Sequence, residues 1–226
     1  MLGPEIIRES LTRVDYCAVG GDSFCIFQGR GPLMMEDFQQ GIRQHPVIAA
    51  VRNEEELQAL EGSHPRVVFL LCGEINTLKR TVNRIRSMGK LVYLHLDLAQ
   101  GLGNDRAALQ YIKKEIHPDG ILSTRTHLIR FAREEGLFAI QRLFIPDGMS
   151  VDTGRNLLKQ SKADAVEVMP GVVPSWVFQS LRKKNGIPIV AGGLLRRRED
   201  VATALDNGAS AVSVSGRELW DFERDK

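Results

Sequence analysis

The stretch 187–217, IPIVAGGLLRRREDVATALDNGASAVSVSGR, decides the fold. It reads as a buried strand ending in Gly192-Gly193, a crossover helix, and a second strand ending in Ser215-Gly216. Two neighbouring parallel strands that each end in small residues and open a helix bring backbone N–H groups and helix N-termini together, which is how a phosphate is cradled. In (β/α)8 barrels such a cradle lies in the loops after strands seven and eight. Six earlier strands must then precede it.

From Pro46 onward, short apolar runs recur, each followed by a polar turn and a helical pattern: 47–51, 67–71, 91–96, 120–124, 138–144, 165–169, 187–191 and 211–215. Strands that alternate with helices predict a parallel sheet, because each parallel connection needs a crossover. Eight of them close it into a TIM barrel; an open doubly wound sheet is the alternative. The intervening helices carry core stripes at helical spacing, such as Leu78, Val82 and Ile85, then Leu109, Ile112 and Ile116. Residues 45–226 are expected to form this single domain. Residues 1–44 form an N-terminal segment with three readings: an extension packed on the barrel, a disordered arm, or sequence upstream of a start at Met34 or Met35.

Composition is that of a soluble globular protein, with 43% hydrophobic and 26% charged residues. A net charge of +2 neither demands nor excludes a nucleic-acid partner, so that question rests on local patches. Cys17, Cys25 and Cys72 are odd in number and lack metal-ligand spacing, which points to a reducing compartment. No apolar run reaches the roughly 18 residues of a membrane span, and no basic start leads into an apolar segment. A cytoplasmic protein with no cofactor and no metal is expected.

Alternation within the strands places candidate site residues. In LVYLHLD, Val92, Leu94 and Leu96 share one face, while Tyr93, His95 and Asp97 share the other. The apolar face belongs under the helices, so His95 and Asp97 are expected at the upper end of the barrel interior. The same logic turns Glu167, Ser213 and Ser215 inward and sets Arg52 at the end of the first strand. In AIQRLF either Gln141 or Arg142 faces inward, and periodicity leaves both open. The mouth would then hold an acid pair, a histidine and arginine beneath the phosphate loops, a composition suited to a small polyol phosphate. A buried ion pair between Arg52 and Glu167 is the structural alternative.

Arg182, Lys183 and Lys184 end a helix at the bottom of the barrel, whereas Arg196, Arg197 and Arg198 follow a strand at the top, about 17–20 Å away by strand length. They are two patches. The second helix, with Lys79, Arg80, Arg84, Arg86 and Lys90 and no acid between Glu74 and Asp97, is the better candidate for RNA. Arg80 and Arg84 lie one turn apart on its outer face and are expected to be exposed.

PVIAAVRN (46–53), HLDLAQGL (95–102), GILSTRTHLI (120–129), AIQRLF (139–144), EVMPGVVP (167–174), IPIVAGG (187–193) and the closing SGRELW (215–220) stand in order along the chain. Together they resemble the glycerol-3-phosphate-responsive antiterminator family, regulators of glycerol uptake operons, over about residues 45–222. The resemblance implies a TIM barrel that binds sn-glycerol 3-phosphate and acts on leader mRNA to prevent premature termination, rather than an enzyme. By position it gives Gly192, Gly193, Ser215 and Gly216 to the phosphate. Arg52, His95, Asp97, Arg142 and Glu167 match family motifs and are the candidates for the glycerol end. Cys72 stands where an acidic residue is expected, so the second strand end has no assigned role. The oligomeric state is left open. The competing function is a barrel isomerase, aldolase or prenyltransferase acting on a phosphorylated polyol, with Asp97 and Glu167 as acid and base.

Overall fold

The computed structural model describes residues 31–223, so Cys17 and Cys25 lie outside the described residues. Eight parallel strands close into one barrel in simple sequence order: β1 (Val47–Val51), β2 (Val67–Leu70), β3 (Leu91–His95), β4 (Gly120–Ser123), β5 (Phe138–Phe144), β6 (Ala165–Met169), β7 (Ile189–Gly192) and β8 (Ala211–Val214). Pairing of Ile48 with Ser213 closes the ring between the first and last strands. Each expected run therefore contains a strand, and the open-sheet alternative is excluded. Helix α1 (Gly31–Gln44) precedes β1. Helices α2 (Glu54–Gln58), α3 (Ile75–Ser87), α4 (Arg106–Tyr111), α5 (Thr126–Glu134), α6 (Gly148–Ser161), α7 (Ser175–Asn185) and α8 (Arg198–Asp206) make the crossovers.

Two apolar layers hold the barrel. The outer layer lies between strands and helices and includes Val92, Leu94, Leu78, Val82 and Ile85, all fully buried. Its helical members are the stripe that the spacing predicts. The inner layer comprises Ile48, Val67, Phe69, Tyr93, Leu122, Phe138, Ile140 and Val190, joined from below by Phe38 and Ile42 of α1. Phe38 packs edge-on to Tyr93 with ring centroids 5.2 Å apart and lies 5.0 Å from the Phe138 ring. Thus the last part of the 1–44 segment closes the bottom of the barrel with an aromatic cluster. Such rings prefer offset and edge-to-face contact, which these angles supply. Gly120 in β4 is required there, because a Cβ would come within 2.5 Å of the Phe138 carbonyl and 2.8 Å of the Tyr93 ring.

Two expectations need correction. The third strand was read through Leu96, but it ends at His95 and the chain enters a 3-10 turn at Leu96–Leu98. Asp97 consequently leaves the strand alternation. Lys90 is not part of an exposed basic face: it is 5% exposed, and its ammonium donates to the carbonyls of Ser63 and Pro65 at the barrel bottom.

Candidate functional site at the barrel mouth

Above the inner apolar layer the barrel becomes polar. Alternation along β5 sends Phe138, Ile140 and Arg142 inward, and Gln141 outward among the helices, which resolves the pair that periodicity left open. Arg142 Nε donates to Glu167 Oε2 at 2.5 Å, across strands in register, with both side chains nearly closed to solvent. Ser213 Oγ donates to the other oxygen, Glu167 Oε1, at 2.5 Å. Glu167 is therefore engaged at both oxygens, and its ion-pair partner is Arg142 rather than Arg52. Charged partners this deep hold each other in place, since removing either leaves an uncompensated buried charge.

Gly192 has a cause that the phosphate pattern did not suggest. A Cβ on it would meet Glu167 Oε1 and Ser213 Oγ, each at 2.6 Å, so the glycine makes room for the hydrogen bond between them. Gly193 follows with φ 73°, which favours glycine, and a Cβ there would press on the Met169 methyl at 2.8 Å. Strand β8 ends at Val214, so Ser215 and Gly216 stand in the loop above it, half-buried and opening a 3-10 turn at Arg217–Leu219. The four small residues thus sit at neighbouring strand ends, as expected. Helix α8 is already capped from within: Arg196 and Arg197 N–H groups donate to the Asp200 carboxylate. With the Arg197 side chain as first cause and these N–H groups behind it, that carboxyl is held down to about 2.

His95 ends β3 inside the mouth, 2% exposed, with neither ring nitrogen hydrogen-bonded among the described residues. Burial, reinforced by the Arg142 guanidinium and opposed by Asp97, pushes its imidazole down to about 4. At neutral pH the ring is uncharged and offers one donor and one acceptor. Buried polar groups are normally paired, so an orphaned ring aimed into a mouth calls for a ligand atom or water.

Asp97 lies beside this group but is committed elsewhere. Its carboxylate accepts from Ser123 Oγ at 2.7 Å, from Thr124 N at 2.7 Å and from Thr124 Oγ1 at 2.8 Å. Burial pushes the Asp97 carboxyl up, but these hydrogen bonds together outweigh it and leave it below the ordinary value. Gln141 Nε2 donates to the Thr124 carbonyl at 2.9 Å from the helix side, so the turn after β4 is clamped from both sides. Ser123, Thr124 and Gln141 hold this turn in place, and the sequence-based candidates do not include them. Ser213 lacked a role beyond facing inward.

Arg52 stands at the rim and binds Glu56 of α2, Nη2 to Oε1 at 2.6 Å, with its side chain 56% exposed. On α3, Arg80 is exposed, but Arg84 donates to Glu54 at 2.6 Å, Lys79 pairs with Glu115 and Arg86 with Asp119. The structure therefore brings His95, Arg142, Glu167 and Ser213 together in the mouth, with Gly192, Gly193, Ser215 and Gly216 at its β7 and β8 ends. Asp97 stays adjacent, and Arg52, Arg80 and Arg84 lie outside. Cys72 is half-buried after β2, where burial pushes its thiol up.

Fold and mouth define a closed (β/α)8 barrel with a buried ion pair under its seventh and eighth strand loops. Its sequence narrows that class. The profile described as glycerol-3-phosphate responsive antiterminator matches residues 47–220, and the chain belongs to that family. An uncharacterized protein of Escherichia coli strain K12, YgcP, is 36% identical over 186 residues, spanning 81% of this chain and 95% of that one. The crystal structure of the glycerol uptake operon antiterminator regulatory protein from Listeria monocytogenes is 34% identical, with TM-score 0.74 over 79% of this chain and 96% of that one. An antiterminator-related protein from Thermotoga maritima is 32% identical, with TM-score 0.70 over 78% and 98%. An aldolase at 11% identity and TM-score 0.59 shows the fold alone. Among the described residues no helix is long and apolar enough to cross a membrane.

Proposed function

We propose that the protein is a ligand-gated regulator that binds sn-glycerol 3-phosphate in the barrel mouth and acts on leader mRNA as a transcription antiterminator. The observation that carries the ligand half is His95, buried beside Arg142 with no partner among the described residues, across the barrel mouth from the glycine loops after β7 and β8. In this reading the backbone at Gly192, Gly193, Ser215 and Gly216 receives the phosphate. His95 and Arg142 meet the glycerol hydroxyls, Glu167 and Ser213 hold Arg142 in position, and Asp97 shapes the neighbouring turn. Arg52 closes the rim with Glu56.

The carboxylates support a binding role over proton transfer. Glu167 is occupied by Arg142 and Ser213, and Asp97 by Ser123 and Thr124, so neither presents a free oxygen of the kind a general acid or base needs. Lys90, a buried lysine, lies at the opposite end of the barrel, away from any Schiff-base position at the mouth.

Calorimetric titration with sn-glycerol 3-phosphate, glycerol and inorganic phosphate tests the ligand. The phosphate ester should bind more tightly than either fragment, and His95→Ala should weaken the ester while sparing inorganic phosphate. Equal affinity for ester and inorganic phosphate would sink the glycerol assignment. Retention of a leader transcript in a gel shift, strengthened by the ester, tests the output; no retention at low salt with or without it would remove the antiterminator role.

A further inference from the structure

Large apolar side chains exposed on the described surface are clustered. Seven are exposed, and five of them, Phe144, Met149, Val172, Trp176 and Leu194, stand at or after the ends of β5, β6 and β7. Single exposed hydrophobics need no explanation, whereas a concentration on one side of a site marks a contact surface. Phe144 continues the inner face of β5 above Arg142, in register with Met169 of β6, whose methyl lies against Gly193. The Gly171 N–H donates to the Gly193 carbonyl at 3.0 Å and laces the β6 loop to the β7 loop. Val172 and Leu194 are the next residues on either side of that bond. The Trp176 ring edge comes within 4.0 Å of where a Cβ on Gly148 would stand, next to Met149. The five side chains thus run along one side of the rim.

Leu194 adds a second observation. Its backbone has φ 61°, a left-handed conformation that residues other than glycine rarely adopt. The side chain so placed is 63% exposed. Strain that serves no internal packing is the pattern of a contact residue. Arg196, Arg197 and Arg198 follow, and no acid stands between Gly192 and Arg198. Arg197 is bound to Asp200 and Arg198 lies over the Phe222 ring. The Arg196 side chain makes no ion pair among the described residues and is exposed.

A second copy docked about a two-fold axis through this rim would bring two copies of the same basic patch into one interface. A flexible polyanion with flat apolar faces satisfies both parts of the rim: unpaired bases stack on aromatic rings while phosphates meet the guanidinium. We infer that this rim, and not α3, is the surface that takes single-stranded RNA, by stacking on Trp176 and Phe144 and by phosphate contact to Arg196; the inference rests on the reading of the protein as an RNA-acting regulator. The location links effector to output. Leu194 and Arg196 directly follow the Gly192-Gly193 loop, so an anion seated there orders the backbone that carries the RNA contacts.

The chain's two tryptophans, Trp176 and Trp220, allow a direct test, because Trp220 is 2% exposed and Trp176 49%. The full chain, with sn-glycerol 3-phosphate present, is titrated at low salt with a labelled terminator hairpin carrying a single-stranded flank, and with the hairpin alone. Flanked RNA should bind more tightly and quench the intrinsic fluorescence. Trp176→Ala and Phe144→Ala should each weaken binding roughly ten-fold, the scale of one lost base stack. Trp176→Phe should keep most of the affinity and lose the quench, and Arg196→Ala should lower the salt slope by about one. Circular dichroism melts verify that each variant is folded. The rim assignment is overturned if both alanine variants bind like the wild type while Arg80→Ala does not, which moves the contact to α3. It is overturned equally if Trp176→Ala alters only the concentration-dependent mass in light scattering, which makes the rim a protein contact. Wild-type chain that retains neither RNA removes the regulator reading itself, and the rim assignment with it.

Discussion

Replacing Gly192 by alanine adds one methyl group at the most crowded point of the mouth. The new Cβ would stand 2.6 Å from both Glu167 Oε1 and Ser213 Oγ, so the 2.5 Å hydrogen bond between those atoms must open. A hydrogen bond to a charged group contributes about 1.5–3 kcal/mol, and an overpacked methyl costs about 1–3 kcal/mol where the surroundings cannot yield. The two costs overlap, because opening the bond is how the clash is relieved, so the net loss should be about 2–4 kcal/mol. For a chain of this size that lowers the melting temperature by roughly 4–16 °C. The displaced carboxylate also loosens Arg142, so the thermal shift produced by glycerol 3-phosphate should shrink with stability. Differential scanning calorimetry of wild type, Gly192→Ala, Ser213→Ala and the double variant separates the causes. Removing Ser213 Oγ clears one of the two clashing atoms, so the double variant should be more stable than the sum of the single losses by about 1 kcal/mol or more. Strict additivity, or a Gly192→Ala variant that melts with the wild type, would refute the packing of Glu167 against Ser213 described here.

Further outcomes follow from the same geometry. Glu167→Gln leaves Arg142 without its charge partner and should destabilise by about 3–5 kcal/mol in urea titrations, with effector binding lost in parallel. His95 has a folded value of about 4, depressed below its unfolded value of about 6.5. The stability it contributes is therefore complete above pH 6.5 and falls as pH drops toward 4, by up to about 3 kcal/mol; urea midpoints at pH 7 and pH 4.5 should differ less in His95→Gln than in the wild type. Phe38→Ala, in the helix beneath the barrel, should cost about 3–5 kcal/mol and be visible as an early thermal transition. Arg84→Ala breaks only a half-exposed pair with Glu54 and should change stability by less than about 1 kcal/mol.

Barrel topology was legible because parallel strands buried on both faces leave apolar runs that turns and helical stripes punctuate. Glu167, His95 and Ser213 were placed correctly inside the mouth by period-two alternation alone. Alternation failed at Asp97, where the strand gives way to a 3-10 turn one residue earlier than the apolar run suggests. It also left Gln141 and Arg142 undecided, since both are polar; the inward face shared with Phe138 and Ile140 and the cross-strand pairing with Glu167 together select Arg142. The pairing of Arg84 is invisible to the sequence for a different reason: its partner Glu54 is 30 residues away, and helical spacing carries no information about such contacts. The one signal available for Gly192 was a glycine pair, read as a phosphate loop; its role beneath Ser213 depends on atoms from three strands meeting at one point.

The helix under the barrel bears on how far the packed core extends beyond the strands. The family match starts at residue 47, yet Phe38 and Ile42, upstream of it, fill the base of the inner layer against Tyr93 and Phe138. A chain trimmed to the family boundary would keep every strand and every mouth residue but turn that aromatic floor into a wet, sticky surface. Its failure in solution would then be mistaken for a defect at the mouth, when the missing piece lies at the opposite end of the barrel.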